Sequence, residues 1–549
     1  MLFFSILFLI MVMAIPSLKT KISPVLFQRL SSIILIYAGA LSLNALYIQS
    51  IGSGIGIYSG LFHVTFISQL IEIFIYIIGA AILIARSLPV YVQVTKTLIE
   101  EISYKYSIEY SLLIMFSTIG ASLLISSSNL ISMYLSIELQ SFAVYILSTL
   151  YRNSESATNA GLKYFLLGSL ASCFILLGSG LVYTFTGLTN LESIYNLISV
   201  TESLNNNITQ GIALGFIFIF AGFLLKVAAA PLHNWAPDVY DESPTIVTIW
   251  LTIMPKISIL IFILEVFTQI TSVSPILESL DTVGINTIKY LLLISSLLSL
   301  IIGTVVGLAQ TKIKRLLAYS TISHIGFILL ALAINSKQSI DSFIFYILQY
   351  TLTNLNTFLI LLAIGYVLNN KTIYNKGVLL ASQVSNITLK DVKYISEFKG
   401  IFFSNPILSI SLTICLLSMA GTPPLLGFFS KQFVLYSAIE SGYYFMSISG
   451  ILVSIISASY YLRIIRILHT EIESNDSLND KGAPILSGSL KEGQTGSVVS
   501  QKSTVVVSGL SNIHSLTISS LTLLILFFIL KPSILLKSTQ LLSLSIYYN

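Results

Sequence analysis

The stretch GFLLKVAAAPLHNWAPDVYDESPT, Gly222–Thr245, opens as an apolar helix and then admits Lys226, with Pro231 five residues further on. Other ionisable residues stand inside apolar runs in the same way: Glu72, Glu138, Lys163, Lys256, Glu265, His324 and Lys431. Ammonium, carboxylate and imidazole groups share one capability, the uptake and release of a proton, and a series of them in an apolar setting suits a relay. Glu138, Lys226, Lys256 and Lys431 lie too far from polar boundaries for their head groups to reach water along the helix, so they carry the reading. Lys163 lies nearer a span end and ranks below them. Glu72 and Glu265 fit paired or interfacial positions as well as functional ones. His324 follows the basic cluster Lys312, Lys314 and Arg315, and lining a helix suits it as well as carrying a proton.

Other chemistries find no support in the sequence. There is no dinucleotide fingerprint, flavin motif, haem ligand pair or iron–sulfur cysteine run. Cys173 and Cys415 both sit in apolar runs and read as packing residues, without metal-ligand spacing. The net charge of +5 is spread over loops, with no basic tract interleaved with aromatics to suggest nucleic acid. The chain is therefore expected to bind no cofactor or metal and to perform no redox step itself. Ion translocation remains, with the proton as the ion these side chains handle.

The elements that must position such groups are membrane helices. The 549 residues are 55% apolar and only 9% charged, with a mean hydropathy of +0.89, against about 25% charged in a soluble domain. Apolar runs of about 20 residues, enough to cross about 30 Å of hydrocarbon, recur from end to end. They place spans near 1–18, 24–48, 61–86, 107–127, 129–150, 157–187, 209–230, 244–269, 286–308, 314–334, 340–369, 401–438, 441–468 and 513–530. The fold class expected is an all-α polytopic membrane protein of about fourteen helices. The first run lacks a basic start and a small-residue cleavage site, and reads as a retained helix rather than a signal peptide.

Lysine and arginine concentrate in alternate loops: Lys19 and Lys21; Arg86, Lys96 and Lys105; Arg152; Lys312, Lys314 and Arg315; Lys371, Lys376, Lys390, Lys393 and Lys399. The positive-inside rule puts these loops on the cytoplasmic or matrix side and both termini on the other. Residues 471–511, rich in serine and glycine, read as a flexible polar excursion.

Proline gives the first lysine its setting. Pro231 removes a backbone donor and should break its helix, freeing carbonyls beside Lys226. In SMAGTPPLLGFFSKQFVL, Ser418–Leu435, Pro423 and Pro424 come before Lys431 instead of after it. Broken backbone at membrane depth is tolerated only within protein or around a water-filled cavity. The reversed order of lysine and proline, five spans apart, is what two inverted-topology repeats would produce. The expected organisation is an N-terminal three-helix segment (1–106), a first repeat of spans four to eight (107–270), a second of spans nine to thirteen (284–469), a polar loop (470–512), and a last helix with a tail (513–549).

Three stretches in order, KVAAAPLHNWAPDVYDESPT, TKIKRLLAYSTISHIGFILL (Thr311–Leu330) and AGTPPLLGFFSKQFVL (Ala420–Leu435), resemble the antiporter-like membrane subunits of respiratory complex I. The likeness covers nearly the whole chain, apart from the 471–511 insert. It implies that Glu138, Lys163, Lys226, Lys256, His324 and Lys431 form a proton relay along a buried axis. NADH, FMN, iron–sulfur clusters and ubiquinone would reside in partner subunits. The partners implied are other membrane and peripheral subunits of that complex, including neighbouring antiporter-like subunits, and lipids such as cardiolipin. A composition rich in Ile, Leu, Ser, Asn and Tyr resembles mitochondrially encoded proteins, particularly fungal ones, and points to the mitochondrial inner membrane with both termini toward the intermembrane space. Two other readings fit the same residues: a subunit of a multisubunit cation/proton antiporter, and a non-pumping scaffold whose buried charges merely pair.

Overall fold

The computed structural model describes residues 1–14, 24–48, 54–85, 109–151, 154–201, 206–272, 283–375, 391–471 and 511–548. Three N-terminal helices, α1 (Leu2–Ala14), α2 (Pro24–Ala45) and α3 (Phe66–Ala85), flank a small hairpin of β1 (Ile55–Ile57) and β2 (Phe62–Val64). Then come α4 (Glu109–Ile125), α5 (Leu130–Thr149), α6 (Glu155–Thr186), α7 (Leu191–Thr201), α8 (Asn206–Val227), α9 (Trp235–Glu242) and α10 (Thr245–Ser272). The second half holds α11 (Val283–Leu308), α12 (Ile313–Ile334), α13 (Lys337–Asn375), α14 (Ile401–Ser404), α15 (Pro406–Ala420), α16 (Leu426–Glu440) and α17 (Tyr444–His469). Two last helices, α18 (Asn512–Leu526) and α19 (Ser533–Tyr548), end the described chain.

Among the described residues, eleven helices are long and apolar enough to cross a membrane. Leu2–Ala14, Glu109–Ile125 and Pro406–Ala420 are apolar but shorter. The polytopic helical class thus stands on eleven full-length spans and three short apolar helices. Most of the 471–511 excursion lies outside the described residues. So do Lys19, Lys21, Arg86, Lys96, Lys105, Arg152, Lys376 and Lys390 of the basic loops.

Two features differ from the sequence expectation. The hairpin was not foreseen; it pairs Ile55 with Val64, and the His63 N–H donates to Ser126 O at 2.7 Å, closing off the end of α4. The expected C-terminal tail is the helix α19, which lies against α13. Three strand residues a side are too few to show a period, and a short helix after Pro532 carries no span-length signal.

Burial identifies the centre. Over an 18-residue apolar stretch of each span, 94% of residues are buried in α10 and in α12, against 33% in α6 and in α17 and 22% in the span that begins with α18. Helices apolar on every face suit a bilayer, where backbone groups are satisfied internally and side chains meet lipid or one another. Local signals set the ends: Asn129 caps α5 by accepting from Ile131 N–H at 3.0 Å, while Ser132 Oγ accepts from Asn129 N–H. Two glycines let helices close on the centre. A Cβ on Gly120 would fall 2.6 Å from Gln140 N, and one on Gly303 would fall 2.7 Å from Ser323 N. α4 is thereby drawn against α5 beside Glu138, and α11 against α12 beside His324.

Candidate functional site

The spans bearing Pro231 and Pro423–Pro424 are both broken, and in the same manner, whereas Pro255 lies within the continuous helix α10. Ala228 takes φ +66° three residues before Pro231, and Gly421 takes φ +88° three residues before Pro424. A left-handed residue ends the helix and leaves carbonyls without intrahelical donors. In the first break Trp235 Nε1 donates to Leu225 O at 2.8 Å. In the second, Lys431 Nζ donates to Ala420 O at 2.8 Å. A side chain from beyond each break thus closes the helix before it.

Lys226 lies in the last turn of α8, buried, and its Nζ donates to Glu138 Oε1 on α5 at 3.2 Å and to Ser141 Oγ at 3.2 Å. Ser141 passes its own hydroxyl hydrogen to Ile137 O at 2.7 Å, which leaves its lone pairs toward the ammonium. Glu138 and Ser141 are three apart on α5 and share a face. A cavity of about 20 Å³ adjoins the pair, lined in part by Gln140, Tyr145, Tyr164, Lys226 and Trp235. That volume holds about one water, and its wall is mainly apolar, from Ile137, Val144, Leu225 and Ile259, with the polar groups of Lys226, Ser141 and Gln140 among them.

Further polar contacts lie on α10. Gln140 and Ser258 exchange hydrogen bonds, Nε2 to Oγ at 2.9 Å and Oγ to Oε1 at 3.1 Å, joining α5 to α10. Two residues before Ser258, Lys256 is 1% exposed. Its Nζ donates to Thr321 Oγ1 at 3.3 Å and lies over the rings of Tyr240 (5.4 Å) and Tyr350 (6.0 Å). Aromatic faces attract a desolvated cation. On α12, three residues past Thr321, both ring nitrogens of His324 meet tyrosine hydroxyls: Nδ1 and Tyr346 at 2.8 Å, Nε2 and Tyr461 at 3.4 Å. Lys431 completes the row, with Phe327 from α12 at 5.7 Å.

Of the residues picked from the sequence, Glu138, Lys226, Lys256, His324 and Lys431 are all enclosed. Lys163 differs. Its side chain is 45% exposed on α6, and Nζ bonds Asp238 Oδ2 at 3.1 Å. Arg315 Nη2 reaches the other oxygen of Asp238 at 2.8 Å, and Lys312 Nζ reaches Asp241 at 2.6 Å. Lys314 Nζ bonds Asp391 at 2.7 Å and Ser243 O at 3.0 Å. Asp391 also accepts from Thr245 N–H at 2.9 Å. Burial works against the Asp391 carboxylate, but Lys314 and the Thr245 N–H outweigh it and hold its pKa below the ordinary aspartate value. No cluster of three or more His, Cys, Asp or Glu with metal-holding geometry occurs among the described residues.

Sequence reasoning missed the neutral partners. Ser141 could have been found, since it lies one turn from Glu138 in LSIELQS. The pair Tyr346 and Tyr350, four apart on α13, also marked a face. The Gln140–Ser258 link and Tyr461 carried no local signal.

Comparison with known proteins identifies the family and the fold. The family described as NADH:quinone oxidoreductase/Mrp antiporter, TM, matches residues 127–457. The chain is 49% identical to NADH-ubiquinone oxidoreductase chain 2 of Rhizopus oryzae, over 98% of this chain and 99% of that relative. Its fold is similar to that of a chain in respiratory complex I from Thermus thermophilus with bound aureothin, at TM-score 0.66 and 23% identity over 94% of each chain. A chain of the Mrp complex from Dietzia is similar too, at TM-score 0.70 and 16% identity over 96% of this chain and 93% of that one.

Proposed function

Because the chain belongs to the NADH:quinone oxidoreductase/Mrp antiporter membrane family, and within it to the chain-2-type antiporter-like subunits of complex I, we propose that it moves protons along Glu138, Lys226, Lys256, His324 and Lys431. The observation that carries this reading is the enclosed Lys226–Glu138 pair, 3.2 Å apart beside a small cavity at a broken helix. An ionised carboxylate at that distance favours the ammonium form of its partner. Drawing the two apart removes that support in a poorly solvated place, and the proton passes on through water toward Lys256. From Lys256 the next groups are His324, with its two tyrosine hydroxyls, and Lys431.

Moving one charge against about 150–200 mV takes about 3.5–4.6 kcal/mol. The chain contributes no redox centre in this reading. NADH, FMN, iron–sulfur clusters and ubiquinone belong to partner subunits, and the push that separates Lys226 from Glu138 comes from those subunits. Spans four to eight and nine to thirteen act as inverted repeats, each with its broken helix. The basic loops face the mitochondrial matrix and both termini the intermembrane space, with cardiolipin among the surrounding lipids. Lys163 belongs to this reading at the rim of the axis, through Asp238.

The test is Lys226→Ala in the assembled complex, reconstituted in vesicles, with protons moved per electron as the readout. A clear fall in that ratio with normal assembly is the expected result. A wild-type ratio would remove Lys226 from the relay.

A further inference from the structure

The helix α9 has only eight residues, Trp235–Glu242, yet it reaches two of the proposed relay lysines, Lys226 and Lys256. At its start Trp235 closes the carbonyl of Leu225, next to Lys226, and its ring stacks on Tyr164 with centroids 4.6 Å apart. Five residues later the Tyr240 ring lies 5.4 Å from Lys256 Nζ. The two aromatic rings themselves meet edge to face at 6.0 Å. So short a helix cannot hold its own position by backbone bonds. Breaks on either side, at Ala228–Asn234 and Ser243–Pro244, release it from its neighbours in the chain.

Side-chain contacts must therefore fix it: Trp235, Ala236, Pro237, Val239 and Tyr240 are buried, and the acidic residues on the remaining face add ties to two other helices. Asp238, Asp241 and Glu242, spaced i, i+3 and i+4, share a face. Asp238 binds in two directions at once, one oxygen to Lys163 of α6 and the other to Arg315 of α12. Asp241 binds Lys312, just before α12, and Glu242 lies 3.9 Å from Lys163. Ion pairs as open as Lys163–Asp238 and Arg315–Asp238, with side chains 32–45% exposed, contribute little to overall stability. Their geometry matters more, because two separate helices are tied to one carboxylate.

We propose that Asp238 is a positioning residue for proton transfer between Lys226 and Lys256: by binding Lys163 and Arg315 together it fixes α9, and so sets the Trp235 indole beside Lys226 and the Tyr240 ring against Lys256. This rests on the proton-carrying reading above. It also gives Lys163 a definite task, which is to hold α9 and not to carry the proton. Asp238 and Tyr240 lie two residues apart in the sequence PDVY, Pro237–Tyr240. In this role its ring is the working part, because the ring face meets the cation.

The experiment measures redox-driven proton uptake by vesicles holding the whole complex, normalised to assembled complex. Asp238→Asn keeps the size and removes the charge, and pumping should fall about five- to tenfold, the effect of losing two partly exposed pairs together. Asp238→Glu should restore most of it. Tyr240→Phe should pump nearly as wild type, while Tyr240→Leu should fall as Asp238→Asn does. The double variant Asp238→Asn/Tyr240→Leu should be no worse than either single change, since both break one link.

Wild-type pumping by assembled Asp238→Asn overturns the proposal, as does an additive double variant. Equal losses in Tyr240→Phe and Tyr240→Leu would overturn the ring contact. If Asp238→Asn fails to assemble, Lys163→Gln and Arg315→Gln each remove one pair and keep the other. Partial loss in both supports the proposal, and wild-type pumping in both sinks it. Lys226→Ala separates the two levels. Loss there with full pumping in Asp238→Asn refutes the Asp238 role alone, whereas full pumping in both refutes the relay.

Discussion

A buried ammonium must be held by something, and the three central lysines are held in three ways. Lys226 has a carboxylate and a hydroxyl, Lys256 a hydroxyl and two tyrosine rings, and Lys431 a helix-end carbonyl and a phenylalanine ring. A charge at mid-membrane costs at least about 2.5–3.5 kcal/mol, so each arrangement offsets a different part of that cost. Only the first can be switched by moving a single opposite charge. Glu138→Gln should therefore resemble Lys226→Ala in pumping, and Glu138→Asp should be milder because the charge survives on a shorter arm. Glu138→Gln and Lys226→Ala each strand the other partner, which costs about 3–5 kcal/mol in buried pairs. The double variant Glu138→Gln/Lys226→Met strands neither. Thermal unfolding of the assembled complex should show the double to be more stable than the Glu138→Gln single. Equal or lower stability of the double would mean that the pair is not enclosed as described.

At the scale of elements, breaks and clamps do the placing. Each break combines a left-handed residue, a proline and a side chain that returns to close the helix end. The prolines were legible in the sequence because proline acts on its own helix. The returning groups, Trp235 and Lys431, lie ten and eleven residues from the carbonyls they meet, and only the folded backbone reveals them. Lys163 was legible as an ionisable residue near a span end. Its partner, 75 residues away, was not, because no local period links them. The two tyrosines on His324 are 22 and 137 residues distant and equally silent. A different clamp joins Lys314 at the start of α12, Asp391, and the Thr245 N–H at the start of α10. Asp391 has a folded-state pKa below its unfolded value. Its contribution is complete above the unfolded value, about 3.9, and is lost as pH falls through the lower folded value. Acid inactivation of the complex, followed from pH 6 downward in steps of about one unit, should show a limb below about pH 4. Asp391→Asn should flatten that limb and lower stability at neutral pH. An unchanged acid limb would show that Asp391 is not held this way.

For the whole molecule, the enclosed helices α10 and α12 form a centre around which the less buried α6, α17 and α18 are arranged. Composition and run length made that class readable, since a chain 55% apolar with recurring spans has few other options. Which spans would be central was not readable, because α10 and α18 have the same hydropathy, 2.2, while 94% of one and 22% of the other is buried. Packing, not apolarity, separates them. Lys256 stands at this centre, under the rings of Tyr240 and Tyr350 and bonded to Thr321 on the His324 helix. The most direct measurement is the proton-to-electron ratio of the assembled complex carrying Lys256→Met, reconstituted in sealed vesicles. A ratio well below wild type, with electron transfer and assembly retained, is the result expected if protons cross the centre of this chain. A ratio equal to wild type would contradict it, and the buried charges would then serve the scaffold alone.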